Sequence, residues 1–177
     1  MKPSKRATYT LAIDTGKHFA AALLKSGDLI DVFYQHEECF EKKDVVPLAK
    51  DLYQMMVDRG VDRSETTVVI ELPSHRYFGR GNSTPLLKAF WQGIRLFMAL
   101  SGKVRRIAYV PADQWNQQRG DKEKKFAFES TFADWKKLPY YQDKHGSRSN
   151  AHERDAALLG LWFYNRQKLE GRIVKDT

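Results

Sequence analysis

The stretch "TLAIDTGKHFAAALL", residues 10–24, constrains the chain most, because it reads as a buried strand with an acid in its middle. Side chains alternate along a strand, so Thr10, Ala12 and Asp14 share one face while Leu11 and Ile13 point to the other. A carboxylate beside a strand core is costly unless a hydrogen bond, a cation or a metal neutralises it. The sequence therefore asks what Asp14 is for.

Residues 8–14 are predicted as a strand and 18–25 as a second. "SGD" (Ser26 to Asp28) is a hairpin turn into a third strand, "LIDVFYQH". After the polar connector "EECFEKKD", the segment "VVPLAKDLYQMMVDRG" has helical spacing. It sets Leu48, Leu52, Met55 and Met56 on one side, with Gly60 as a stop. The β-branched run "TTVVIEL" predicts a buried strand ending near Glu71 and closed by Pro73. "PSHRYFGRGNST" is a loop, and "STPLLKAFWQGIRLFMALSG" a helix with a capping residue and a proline in its first turn. "RRIAYV" predicts another strand and "PADQWNQQ" a short helix. "GDKEKKFAFESTFADWKK" reads as one charged amphipathic helix and "LPYYQDKHGSRSN" as a polar loop. "NAHERDAALLGLWFYNRQKL" is the last helix, capped by Asn150. A three-stranded meander followed by alternating helices and strands predicts a mixed sheet covered by helices on both faces, one α/β domain over residues 1–177.

The totals exclude several classes. At 177 residues the chain can bury a core without staples. The single Cys39 cannot form an internal disulfide, so a reducing, intracellular setting is expected. The longest apolar run, "FAAALL", is too short to cross a bilayer, and no apolar region follows the basic "MKPSKRATYT", so neither membrane span nor signal peptide is expected. Thirty Lys and Arg against 22 Asp and Glu leave a formal charge of +8. The basic residues cluster at Arg76 and Arg80, at Lys103-Arg105-Arg106, at Arg119-Lys122-Lys124-Lys125 and at Lys144-Arg148-Arg154, the first of these beside Tyr77 and Phe78. Such interleaving points to a nucleic-acid partner.

Three acids can converge. A helical crossover makes the first and fourth strands parallel, so Asp14 and Glu71 come to the same end of the sheet, where α/β sheets hold their sites. In the final helix His152 and Asp155 stand at i and i+3 and share a face, which Leu159 and Trp162 continue. Glu153 competes with His152, but at i+2 it does not share the face of Asp155. Carboxylates and an imidazole around one point repel unless cations intervene, and hard oxygen ligands suit Mg²⁺ or Mn²⁺. A pair of such ions activates water and stabilises the leaving oxygen in phosphodiester cleavage. Each residue also has a plain reading: Asp14 as a turn cap before Thr15-Gly16, Glu71 as an exposed strand end, His152 as a hydrogen-bonded histidine. The sequence carries no G-x-x-x-x-G-K-[ST], no G-x-G-x-x-G and no zinc-type Cys-His spacing. D-T-G also occurs in aspartic proteases, but a single-chain protease needs a second copy and there is none.

With these residues in view, the sequence resembles the RuvC-type Holliday junction resolvases of the ribonuclease H-like superfamily. "LAIDTGKHFAAALL" is similar to the family's first strand with I-D-x-G, "VVIELP" to its second acidic strand, "RGDKEKK" to its short G-x-x-E-K segment, and "AHERDAALLGLW" to its last helix. The resemblance implies a mixed five-stranded sheet, three antiparallel strands and then parallel ones. It implies an endonuclease that resolves four-way DNA junctions by paired symmetric cuts, acting as a homodimer with two Mg²⁺ ions per site, Mn²⁺ substituting. It assigns Asp14, Glu71, His152 and Asp155 to the metal site. Asp14 would bridge both ions, Glu71 and Asp155 would each complete one, and His152 would ligate or orient the second. Lys124 takes a position that contacts DNA near the cleaved phosphate, with Lys122, Lys125, Arg76, Arg80, Tyr77 and Phe78 as further DNA-binding candidates. The junction-wedging aromatic of bacterial members normally follows the second acid; Ser74 stands here, leaving Tyr77, Phe78 or no wedge. The resemblance also implies a cytoplasmic, DNA-associated protein of a bacterial cell or phage-infected host. Two other readings stay open, a ribonuclease H-type or flap nuclease on the same fold and a non-catalytic nucleic-acid-binding module.

Overall fold

A computed structural model describes residues 8–15, 18–35, 45–74, 84–116, 120–144 and 150–170. The opening meander forms as predicted. β1 (Tyr9–Asp14), β2 (Phe19–Lys25) and β3 (Asp28–Gln35) pair antiparallel in sequence order. The β2–β3 turn places Ser26 at φ 50° and Gly27 at φ 92°, and a Cβ on Gly27 would stand 2.9 Å from the ring of Tyr164. Glycine is required there both by the left-handed backbone and by the close approach.

Helix α1 (Val45–Asp58) then crosses over to β4 (Thr66–Leu72), which lies parallel to β1, and α2 (Thr84–Leu100) leads to β5 (Arg106–Pro111), parallel to β4. The sheet order is β3-β2-β1-β4-β5. Short α3 (Ala112–Trp115), α4 (Asp121–Thr131), α5 (Pro139–Lys144) and the long α6 (Ala151–Leu169) complete the described elements.

Strand alternation divides the core in two. Leu11, Ile13, Leu23, Val68 and Ile70 pack with Leu48, Leu52 and Met56 of α1 and Leu96 and Leu100 of α2. On the opposite face Ala12, Ala22, Val69 and Val110 meet Ala156, Leu159 and Phe163 of α6 and Phe128 of α4. Each large apolar side chain so buried contributes about 1.5–3 kcal/mol. Small residues on the second face let α6 lie close. A Cβ on Gly160 would collide with Leu24 and stand 3.1 Å from the Cβ of Ala12. Asp14 shares the face of Ala12, so it looks toward α6. Among the described residues no helix is long and apolar enough to cross a membrane.

Two details differ from expectation. The charged helix predicted over 120–137 stops at Thr131; Phe132 leaves helical geometry, and a single 3-10 turn, Trp135–Lys137, follows. Phe128, Phe132 and Trp135 are all buried in the core; their i, i+4, i+7 spacing is that of one helix face, which is why the sequence reads as a single helix. The segment read as a polar loop contains α5, and its Tyr141 is 1% exposed, edge-on to Trp135 with ring centroids 4.8 Å apart. On α2 the core side is Ala89, Gln92, Gly93, Leu96 and Leu100, while Trp91 and Met98 face outward.

Candidate active site

The parallel pairing of β1 and β4 fixes the first two acids. Ile13 pairs with Ile70, the residues immediately before Asp14 and Glu71, so both carboxylates leave the sheet side by side at one end. The Thr15 hydroxyl donates to the Glu71 carbonyl at 2.7 Å and ties the two strand ends together. Helix α6 starts over that end. Its N-terminus is set by a capping box, in which the Asn150 side chain accepts from the Glu153 N–H and Glu153 accepts from the Asn150 N–H.

From this helix His152 reaches Asp14, with Nδ1 to Oδ2 at 3.0 Å, and Asp155 meets Lys124 of α4, with Nζ to Oδ2 at 2.8 Å. Asp14 is therefore engaged across 138 residues of chain, not by a local turn. The His152 imidazole is held above its usual value, chiefly by the hydrogen bond to Asp14; burial opposes this and the Asp14 and Asp155 charges add to it. Protonated Nδ1 donates to the carboxylate. Asp155 is raised above the usual carboxylate range because burial outweighs the hydrogen bond and charge of Lys124.

Glu71 is in the sharpest conflict. Burial first, and then the charges of Asp14 and Asp155, push its carboxyl well above the usual range, with Lys124 and the Trp115 indole pulling the other way. The Trp115 N–H is buried without a hydrogen-bond partner among the described residues, so its pull is that of a nearby dipole. Three carboxylates thus feel one another, and two of them are held by hydrogen bonds, Asp14 to His152 and Asp155 to Lys124.

The site contains a residue that the sequence reading missed. The ring of His18 lies 5.2 Å from that of His152, and Tyr34 completes a triangle of rings, 6.2 Å from His18 and 6.3 Å from His152. His18 Nδ1 is buried with no hydrogen-bond partner among the described residues. The signal was there in the hairpin. Asp14 pairs with Ala20, and His18, two residues before Ala20, emerges on the same face.

Glu153 is settled differently from its neighbours. It is fully buried and accepts from the hydroxyls of Tyr140 and Tyr141, each at 3.0 Å, as well as from Asn150. It anchors the helix and takes no part in the acid cluster. Lys122 and Lys125 are exposed on α4, Lys125 loosely paired with Glu129 at 4.0 Å. Arg76, Tyr77, Phe78 and Arg80 lie outside the described residues.

The donor set of carboxylates with imidazole suits a hard divalent ion, and the second oxygen of Asp155, Oδ1, is buried without a partner among the described residues. The side chains are nevertheless not drawn into a closed cage. Among the described residues no group of three or more His, Cys, Asp or Glu is close enough to hold a metal ion.

A mixed sheet in the order β3-β2-β1-β4-β5, antiparallel and then parallel, with helices on both faces, is a ribonuclease H-like fold, and this chain has the form of it found in RuvC. Thermus thermophilus RuvC in complex with a Holliday junction substrate is similar at TM-score 0.56 and 15% identity, over 90% of this chain and 96% of that one. A further Thermus thermophilus RuvC structure gives 0.55 and 13%, over 91% and 97%. The yeast mitochondrial Holliday junction resolvase Ydc2 gives 0.51 and 14%, over 97% and 86%. At these identities the likeness is one of fold. By sequence, no family model and no curated protein matches.

Proposed function

We propose that this protein is a metal-dependent endonuclease that resolves four-way DNA junctions by paired cuts, working as a homodimer. The observation that carries the reading is the mutual repulsion of Asp14, Glu71 and Asp155 at one end of a RuvC-like sheet. A divalent cation would relieve that repulsion.

Asp14, Glu71, Asp155 and His152 would hold Mg²⁺ or Mn²⁺, two ions in the full site. Bound there, the metal would supply an activated water and stabilise charge on the phosphate. For its own part, His152 neutralises and orients Asp14, and Lys124 does the same for Asp155. Once Asp155 is otherwise satisfied, the Lys124 ammonium is free to hold a DNA phosphate beside the acids. Lys122 and Lys125 extend the positive surface along α4, and phosphate contacts of this kind position DNA without reading its sequence. The outward apolar side of α2 supports the dimer.

One observation favours a second reading. Carboxylates already neutralised by His152 and Lys124, with no closed cage, also suit a non-catalytic module that binds nucleic acid through its basic surface. The deciding experiment incubates the protein with a synthetic four-way junction, a flap and an RNA/DNA hybrid, with Mg²⁺ and with a chelator. Symmetric, Mg²⁺-dependent cuts in the junction alone are expected. Cleavage of the flap or hybrid instead would make it a general nuclease on this fold. Tight junction binding with no cleavage would leave the binding module.

A further inference from the structure

The face of the sheet that ends in Asp14 and Glu71 has a second polar end, at the opposite edge. There Thr10 pairs with Thr67 and Thr67 with Arg106, so three polar side chains stand in one row across β1, β4 and β5 under α6. A cavity of about 170 Å³ opens along this row, lined also by Thr8, Arg105 and Gln167. Phe163, one turn before Gln167 on α6, supplies an apolar wall.

The residues around it include two arginines, three threonines and a glutamine, and no acid; both arginines are exposed. Among the described residues neither Arg105 nor Arg106 has a carboxylate partner. Arg106 only leans on the neutral Oε1 of Gln167 at 3.4 Å. Thr10 is 5% exposed and Gln167 8%, so both side chains are enclosed at the cavity. The C-terminal end of α6 nearby carries roughly half a negative charge, which two full positive charges outweigh. An arginine fork with threonine hydroxyls beside it matches the oxygens of a phosphate group.

We propose that this cavity is a phosphate-binding site, separate from the acid cluster and independent of any cleavage activity. The phosphate belongs either to a small phosphorylated molecule or to a nucleic-acid strand passing the far end of the sheet. Thr10 and Asp14 are four residue steps apart on β1, about 13 Å along the strand, so one anion cannot bridge the two sites.

Calorimetric titration of pyrophosphate into the full chain, with EDTA present, tests the site. Saturable one-site binding is expected. Arg105→Gln with Arg106→Gln should weaken it at least tenfold, and Thr67→Val, which removes one hydroxyl and keeps the shape, should weaken it severalfold. Asp14→Asn and the charge-matched control Lys25→Gln with Lys50→Gln should leave it within twofold. No saturable binding at millimolar pyrophosphate, or equal binding by the arginine pair variant and wild type, overturns the proposal. So does an equal loss in the charge-matched control. The source is read from the salt dependence of DNA binding. A slope of log affinity against log salt lowered by about 0.7–0.9 in the arginine pair variant marks one lost strand phosphate. An unchanged slope with lost pyrophosphate binding marks a small-molecule site.

Discussion

Glu71 ends β4 where burial, Asp14 and Asp155 all oppose its charge, and that strain makes the acid cluster testable one side chain at a time. Asp14→Asn, Glu71→Gln or Asp155→Asn should each lower junction cleavage by at least about 100-fold, since even outer-shell partners of a metal are worth 10–100-fold. Junction affinity should stay near wild type, because phosphate contacts lie on the basic residues. Mg²⁺ at 100 times its dissociation constant should add about 2.7 kcal/mol of thermal stability to the wild type and much less to these variants. Full turnover in any one variant removes that residue from the site. Away from the site, Asp31 of β3 accepts from the Val32 N–H and from Arg59 Nε, each at 2.9 Å, yet burial still raises its carboxyl above the usual range. The folded state thus binds this proton more tightly than the unfolded chain. Its contribution is fully present below the unfolded value and is lost as pH rises through the folded one. Asp31→Asn should therefore gain stability relative to wild type between pH 4 and pH 7, measured by parallel urea melts; a gap independent of pH would contradict this. At this scale the face of Asp14 was legible from strand parity alone. The Lys124–Asp155 pair was not, because it joins two helices whose docking no local pattern encodes.

Helix α6 carries two of the site residues, and its start is held by a buried carboxylate under two phenols. Glu153 takes hydroxyls from Tyr140 and Tyr141 and the N–H of Asn150, so α5 and the head of α6 are one unit. Tyr141→Phe should cost about 1.5–3 kcal/mol, as expected for a hydrogen bond to a charged group. Glu153→Ala should cost more, since it leaves the buried Tyr141 hydroxyl without its acceptor and also removes the capping contact to Asn150, and it should lower cleavage together with stability by loosening His152 and Asp155. Denaturant melts of the two variants check the order; a cost below that of Tyr141→Phe would mean the clamp is not what sets the helix. The elements themselves were largely readable: hairpin, crossover, capped final helix. What misled was "LPYYQDK", polar in composition but folded into α5 because Tyr141 finds an aromatic and a carboxylate partner in the core. Composition reports average exposure and cannot say which tyrosine is enclosed.

For the molecule as a whole, sheet order followed from the sequence because the meander and the two crossovers leave few topologies, but whether α2 serves core or surface did not, since large aromatics are usually buried. The structure divides the helix. Leu87, Trp91 and Met98 are 45%, 59% and 72% exposed, spaced by four and seven residues on one side, with Lys88 and Arg95 exposed nearby. A four-way junction presents two equivalent strands about a two-fold axis, and one site per chain makes only one cut without rebinding. A two-fold dimer is the direct solution. Seventeen residues of helix span about 25 Å, enough for the centre of an interface whose binding energy concentrates in a buried tryptophan. Trp91→Lys with Met98→Lys should therefore convert a dimer into a monomer in sedimentation at micromolar concentration. Neither side chain touches the acid cluster, so single cuts should persist, and a supercoiled cruciform plasmid should accumulate as nicked circles where the wild type gives linear product. A variant that remains dimeric moves the contact to another surface. A wild-type protein that is a strict monomer and leaves only nicked circles would sink the paired-cut reading and leave a nuclease that acts one strand at a time.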